Sequence, residues 1–308
     1  MDPKGVYAMS IISVTGLEKH YGKVQALKGI SFGVGRGEIF ALLGPNGSGK
    51  TTTLEILMGL RRQDAGKVEY FDAKGQAGWT PKIGAVFQGR VYYDSLTVRE
   101  LIKYYGSLYR APAPDISKYL DMVNLKDKLD SQYKNLSGGQ KQQIAIILAL
   151  INDPEVVFLD EPSTALDPQV RMKIWELIRI LKGEGKTVVF TTHYIEEAEA
   201  LADRVSILSK GELAITDSPA NIIGKYNETY TVEFHFEEDV GAGVFDGYGF
   251  GDVQFRDGVY SFSVDAIDAD LIQAVKDISS KHRLARINIG KSSLESVFVK
   301  ITEERFAS

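Results

Sequence analysis

A lysine, a threonine, two adjacent acids and a histidine stand in this sequence where each could act on a phosphate group. Lys50 and Thr51 close the run Gly44-Pro45-Asn46-Gly47-Ser48-Gly49-Lys50-Thr51. Its glycines let successive backbone N–H groups converge on phosphate oxygens, and the helix expected to start there points its positive end at the same anion. Lys50 can then reach the outer phosphates and the Thr51 hydroxyl can ligate Mg²⁺, with Thr52 a second candidate for phosphate contact. The stretch is expected to bind a nucleoside triphosphate. Farther along, Asp160 and Glu161 follow the apolar run Val156-Val157-Phe158-Leu159. Asp160 can hold Mg²⁺ through its water shell, whereas Glu161 is free to orient or deprotonate a water that attacks the γ-phosphate.

Three more residues have a chemical and a plain reading. His193 follows Thr187-Val188-Val189-Phe190-Thr191-Thr192; its imidazole can donate a hydrogen bond to a γ-phosphate, or simply be structural. Gln88 leaves Ile83-Gly84-Ala85-Val86-Phe87; a carboxamide can ligate a metal and bond a water, which suits sensing a γ-phosphate, or can be an ordinary polar strand end. Tyr21 can stack on a purine or pack against its neighbours. A second anion-seeking site opens at Leu136-Ser137-Gly138-Gly139-Gln140, where Ser137 is a natural N-cap and two glycines expose N–H groups, but no lysine accompanies them.

These groups need elements to hold them. The runs ending at Leu43 and Asp160 are almost wholly apolar, as strands covered on both faces must be, the one ending at Thr192 reads as a further buried strand with Val188-Val189-Phe190 at its centre, and ligands of open α/β sheets sit at the C-terminal ends of such strands. Residues 11–19 and 24–34, broken by glycines, suggest short antiparallel strands before the loop. Residues 97–108 read as a helix capped by Thr97 with Glu100 at the fourth position, and Val98, Leu101, Ile102 and Tyr105 on one face. Pro112 and Pro114 stop it, and 115–129 give a second helical pattern, so residues 89–150 form a mostly helical insert. The helix after Ser137 should bury Ile144, Ile147, Leu148 and Ile151. Residues 169–182 form an amphipathic helix, 194–202 an acid-rich helix, and 205–208 with 212–215 two closing strands.

Residues 1–220 therefore form one domain and 221–308 a second. In the second, Tyr230, Val232, Phe234 and Phe236 alternate with polar residues, as do Tyr260, Phe262 and Val264, and helices are expected at Leu271–Ile278 and after Ser292, giving a small α+β fold. Nothing in it looks catalytic.

The 308 residues carry a net charge of −5, from 36 basic and 41 acidic side chains, so there is no large positive field for wrapping nucleic acid. No nucleic-acid partner is expected. Cysteine is absent, which excludes disulfides, a thiol nucleophile and Cys-ligated zinc. The longest apolar run, residues 144–151, is far short of a bilayer span, so any membrane role requires a partner.

Taken together, the motifs resemble the nucleotide-binding subunit of an ATP-binding cassette (ABC) transporter across residues 11–220. Tyr21 matches its adenine-stacking loop, Gly44 to Thr51 its Walker A, Gln88 its Q-loop, Leu136 to Gln140 its signature, Val156 to Glu161 its Walker B, Thr164-Ala165-Leu166-Asp167 its D-loop and His193 its switch loop. The resemblance implies a P-loop NTPase fold: a RecA-like core with an antiparallel β subdomain and a helical subdomain. It implies ATP and Mg²⁺ as cofactors, with Lys50, Gln88, Glu161 and His193 in catalysis. It also implies that two cassettes, alike or different, pair head to tail, so that Ser137 and Gly139 of one complete the ATP site begun by Lys50 of the other, with Asp167 beside it. Gln143 departs from the family, many of whose members carry arginine there. Tyr194-Ile195-Glu196-Glu197-Ala198-Glu199, Asp203-Arg204-Val205 and Ser293-Leu294-Glu295-Ser296-Val297-Phe298 resemble the drug-resistance, ABC-2 export type. That implies an ATPase on the cytoplasmic face of a membrane, driving export through a separate polytopic permease. An importer ATPase, or a non-transport ABC ATPase acting on ribosomes or DNA, is the alternative.

Overall fold

A computed structural model describes residues 10–71, 76, 82–87, 93–109, 115–226, 230–238, 240–256, 258–291 and 293–306. The chain divides into two compact units, Met1–Pro219 with Glu304–Ser308, and Ala220–Glu303.

The first unit opens with two long strands, β1 (Ser10–Tyr21) and β2 (Val24–Gly35), followed by β3 (Ile39–Leu43) and helix α1 (Lys50–Leu57). Next come β4 (Ala65–Tyr70), β5 (Ile83–Val86), and the helices α2 (Val98–Ser107), α3 (Ser117–Met122) and α4 (Gly138–Ala149). Then β6 (Val156–Asp160), α5 (Pro168–Gly183), β7 (Thr187–Thr192), α6 (Ile195–Leu201), β8 (Arg204–Ser209) and β9 (Glu212–Asp217) complete it. β1 and β2 run longer than the sequence suggested, because register shifts near Val14 and Leu17 let one ladder absorb the interrupting glycines.

Two sheets result. The smaller is antiparallel, in the order β2-β1-β4, and the larger has the order β5-β6-β7-β3-β8-β9. In the larger sheet every pairing is parallel except β8 with β9. β3, β6 and β7 are buried at every position, as the apolar runs at their centres require. One core joins the sheets: Ile12, Val14 and Phe32 meet Phe40, Leu42, Leu54 and Phe158, with the rings of Phe32 and Phe40 stacked at 5.3 Å.

The helical insert follows its local signals with one exception. Thr97 caps α2 in a full capping box with Glu100. The pattern over 115–129 does not make one helix: Asn124 takes a left-handed φ of 57°, the Leu125 N–H closes onto Leu120 O, and a single 3₁₀ turn follows at Lys126–Lys128. α4 is buried almost all round, at Gly139 and from Gln143 through Leu148, rather than along one stripe. Among the described residues, no helix is long and apolar enough to cross a membrane.

The second unit holds β10 (Tyr230–Phe236), β11 (Gln254–Arg256), β12 (Val259–Val264), α8 (Ala269–Lys281) and β13 (Leu284–Lys291), with all but the first residue of α7 (Pro219–Tyr226) and all but the last three of α9 (Leu294–Phe306). Its antiparallel sheet has the order β11-β12-β10-β13. Val232, Phe234, Tyr260 and Phe262 point from the sheet into a core shared with Leu271 and Ile278 of α8 and with Phe245. Ser292, expected to cap the last helix, lies outside the described residues.

Candidate active site

Strand register brings the chemistry together. β7 lies between β3 and β6, with Leu43 beside Thr192 and Asp160 beside Thr191, so three strands end in one place. Each then releases a functional segment: the glycine loop from β3, the acid pair from β6 and His193 from β7. That is the position at which open α/β sheets bind ligands.

The glycine loop turns through Pro45, Asn46 and Gly47, with the Ser48 N–H donating to Pro45 O at 3.2 Å. Gly49 caps α1 at φ 108°, and a Cβ there would lie 2.7 Å from a Leu27 methyl and 2.8 Å from Ala26 O, so no other residue fits. Lys50 is only 5% exposed. Its Nζ donates to Gly44 O at 2.8 Å and Pro45 O at 3.1 Å, and Glu161 Oε1 lies 3.7 Å away. Burial lowers its pKa, and the charges of Glu161 and Asp160 oppose that shift. The Ser48 hydroxyl is buried and has no hydrogen-bond partner among the described residues.

Asp160 is buried at the end of β6. Its Oδ1 accepts from Thr191 Oγ1 at 2.6 Å and from Thr51 Oγ1 at 3.2 Å. Burial pushes the carboxyl pKa up, while these hydroxyls and Lys50 pull it down. A carboxylate raised in the folded state contributes stability that is complete below its unfolded pKa and is lost as pH rises through the folded value. Asp160→Asn is therefore expected to raise the melting temperature at neutral pH by about 2 °C or more, with the gain shrinking on acidification. Thermal unfolding across a pH series checks this; a variant that melts lower at neutral pH overturns it. The adjacent Thr51 and Asp160 oxygens suit a small hard cation held by one hydroxyl, one carboxylate, water and substrate. Among the described residues no group of three or more His, Asp or Glu could hold a metal ion by itself, so an all-protein metal cage is not what the site offers.

Glu161 sits at the centre. It adopts φ 48°, unusual for a residue with a side chain, and is held there by its N–H, which donates to Thr191 O at 3.2 Å and Thr191 Oγ1 at 2.9 Å. Its side chain is 8% exposed. Oε2 accepts from Thr164 Oγ1 at 3.0 Å, and Oε1 lies 3.2 Å from His193 Nδ1. That His193 nitrogen is buried and makes no aligned hydrogen bond among the described residues. The imidazole rests against the Tyr194 ring at 4.2 Å. Lys50, Thr51, Asp160, Glu161 and His193 thus form one cluster.

Other expected residues lie away from it. Tyr21 is 40% exposed, with its hydroxyl 3.4 Å from Thr52 Oγ1 and the Arg61 guanidinium 5.2 Å from its ring centre. Gln88 falls outside the described residues. Ser137 caps α4 reciprocally with Gln140: its Oγ accepts from Gln140 N–H at 3.2 Å, and its own N–H donates to Gln140 Oε1 at 2.9 Å. Gly138 begins that helix. Asp167 caps α5 by accepting from Val170 N–H at 3.0 Å. The two caps are neighbours, because Gly139 packs on Val170 so closely that a Cβ would come within 2.7 Å of its methyl. Among the described residues, no hydrogen bond or ion pair joins Ser137 to Gln140 with the Lys50 cluster. Gln143 is buried, with Nε2 lacking a partner among the described residues.

Sequence reasoning did not single out Thr191 or Arg61. Thr191 carried a signal, as one of the paired threonines that end β7 beside His193; Arg61 carried none.

A family model described as ABC transporter matches residues 27–164. Nod factor export ATP-binding protein I of Ralstonia nicotianae is 39% identical over 226 residues, covering 71% of this chain and 70% of that protein. A fluoroquinolones export ATP-binding protein of Mycobacterium tuberculosis is 34% identical over 299 residues, covering 95% of this chain and 93% of the relative. Among solved structures, a dimeric bacterial ABC transporter cassette is 30% identical, covers 67% of this chain and 98% of its own, and superposes with a TM-score of 0.58. The ATP-binding subunit of an ABC transporter is 26% identical, covering 70% and 93%, with a TM-score of 0.62.

Proposed function

We propose, because the chain belongs to the ABC transporter family as a nucleotide-binding, ATP-hydrolysing subunit, that it powers export through a separate membrane permease on whose cytoplasmic face it sits. The observation that carries the catalytic part is the single cluster of Lys50, Thr51, Asp160, Glu161 and His193 at the ends of β3, β6 and β7. Export is supported by relatives named for export of Nod factor and of fluoroquinolones.

In this reading ATP lies along the loop from Gly44 to Thr51, with its base against Tyr21 and with Thr52 beside the phosphates. Backbone N–H groups and the start of α1 meet the phosphate charge, and Lys50 donates to the outer phosphates. Thr51 and Asp160 hold Mg²⁺, with Gln88 as a further ligand; the cation's chemistry is to neutralise charge on the phosphate oxygens. Glu161 accepts a proton from the water whose oxygen bonds to the γ-phosphorus as the bond to the β–γ bridging oxygen breaks. His193 donates to the γ-phosphate. Ser137, Gly138, Gly139, Gln140 and Asp167 act across the boundary to a second cassette, a pairing supported by the related dimeric cassette. Residues 1–220 are the cassette, with 89–150 as its helical insert, and 221–308 are an accessory domain.

The test is recovery of the tagged chain from gently solubilised membranes. A polytopic protein should co-purify and raise ATP turnover. Recovery instead with a substrate-binding protein would point to import, and pelleting with ribosomes to a different class; either would sink the export reading.

A further inference from the structure

One buried carboxylate outside this cluster, on the helix that starts two residues after His193, accepts a hydrogen bond from the loop that follows Glu161. Glu197, on α6, is 1% exposed. Its Oε1 accepts from Ser163 Oγ at 2.6 Å and from Trp175 Nε1 at 3.2 Å. Ser163 follows Glu161 by two residues, and Trp175 stands on the buried side of α5. Burial raises the Glu197 pKa, while the hydroxyls of Ser163 and Thr192, the Trp175 indole and the charge of Arg171 act against the rise. Thr192 immediately precedes His193, and its Oγ1 accepts the Tyr194 N–H at 2.9 Å, fixing the turn that carries the imidazole. The carboxylate's other oxygen is buried with no hydrogen-bond partner among the described residues.

An acid in such a place costs the fold desolvation energy, and an apolar side chain of the same size would pack there at less expense. Its position offers a reason. The backbone between Glu161 and Asp167 is held in uncommon conformations, with φ 48° at Glu161 and 60° at Ala165, and such geometry persists only where surrounding contacts over-determine it.

We propose that Glu197 is a positioning residue, whose buried carboxylate ties Ser163 of the Glu161 loop and Trp175 of α5 to α6, the helix that starts two residues after His193, and so holds Glu161 and His193 in register for hydrolysis. The inference rests on the reading that Glu161 and His193 carry out that hydrolysis. Misplacement of a catalytic group by about 1 Å can cost around a hundredfold in rate, so loosening this tie should act on turnover rather than on nucleotide binding.

The test compares Glu197→Met, Glu197→Gln and Ser163→Ala in the full chain, measuring kcat, KM, ATP affinity and melting temperature. Glu197→Met is expected to lower kcat by about tenfold to a hundredfold with ATP affinity within about twofold, and, because it leaves the Ser163 hydroxyl and the Trp175 indole without their acceptor, to melt a few degrees lower while staying folded at the assay temperature. Glu197→Gln keeps an acceptor for Ser163 and Trp175 and should recover most of the rate; Ser163→Ala should lower kcat by a smaller factor without changing KM. An unchanged kcat in Glu197→Met overturns the proposal, as does a loss no larger than the drop in folded fraction. Should Glu197→Met fail to fold, an unchanged kcat in Ser163→Ala overturns it instead. Glu161→Gln run in parallel separates the two levels: normal turnover there removes the underlying reading, whereas low turnover there beside normal Glu197 variants removes only this one.

Discussion

Glu161→Gln should bind ATP as the parent chain does, lose turnover by roughly a thousandfold, and accumulate as an ATP-bound pair of cassettes. Glutamine fills the same volume and keeps an oxygen for Thr164, whose hydroxyl lies 3.0 Å from the carboxylate. What it loses is the ability to take a proton. It also removes the negative charge 3.7 Å from Lys50, so affinity for the triphosphate has no reason to fall. With binding intact and cleavage blocked, the closed state has no exit. Phosphate-release kinetics and size-exclusion chromatography with and without ATP check both parts. Normal phosphate release would take Glu161 out of its role.

The second large effect is a complementation. Lys50→Ala removes the buried ammonium group that would face the phosphates, and loss of a charge-assisted contact of this kind should weaken ATP binding about tenfold to a hundredfold. Ser137→Arg places bulk and a positive charge where α4 offers its N-terminal N–H groups, and also discards a cap worth about 1 kcal/mol. Each variant alone should be nearly inactive. If two copies pair head to tail, an equal mixture forms mixed pairs in which one site carries both defects and the other carries neither. Activity should then return to about a quarter of the parent rate, given random pairing and independent sites. No recovery from two folded variants would show that Lys50 and Ser137 do not meet between copies of this chain.

Much of this was readable before any coordinates. Fully buried β3 and β6 were written as apolar runs and β7 as an apolar centre between threonines, and the loop, the acid pair and His193 follow from where those strands stop. Caps were equally plain: Thr97 with Glu100 and Ser137 with Gln140 both close as capping boxes. Other features depended on tertiary context. The segment 115–129 carries helical spacing throughout, but a left-handed Asn124 divides it. Gln143, noted in the sequence only as a departure from arginine, is buried. Glu197 was hidden among acids. Its neighbour Glu196 has a side chain 79% exposed, so an acid-rich stretch read as a solvated face is right for one residue and wrong for the next. The missed clue was spacing: Glu197, Ala198 and Leu201 fall on one side of the helix, and the apolar pair marks it as the inner one.

The tight seat of Gly139 on Val170 has a consequence for how a shift travels. The segment that follows Glu161 runs into the cap of α5, and α5 is in direct contact with the very turn of α4 that a neighbouring cassette would use. At Gly139 the two helices sit too close for even one added carbon. A shift in the loop after Glu161 would therefore pass through α5 to the very end of α4 that carries Ser137, with no flexible linker in between.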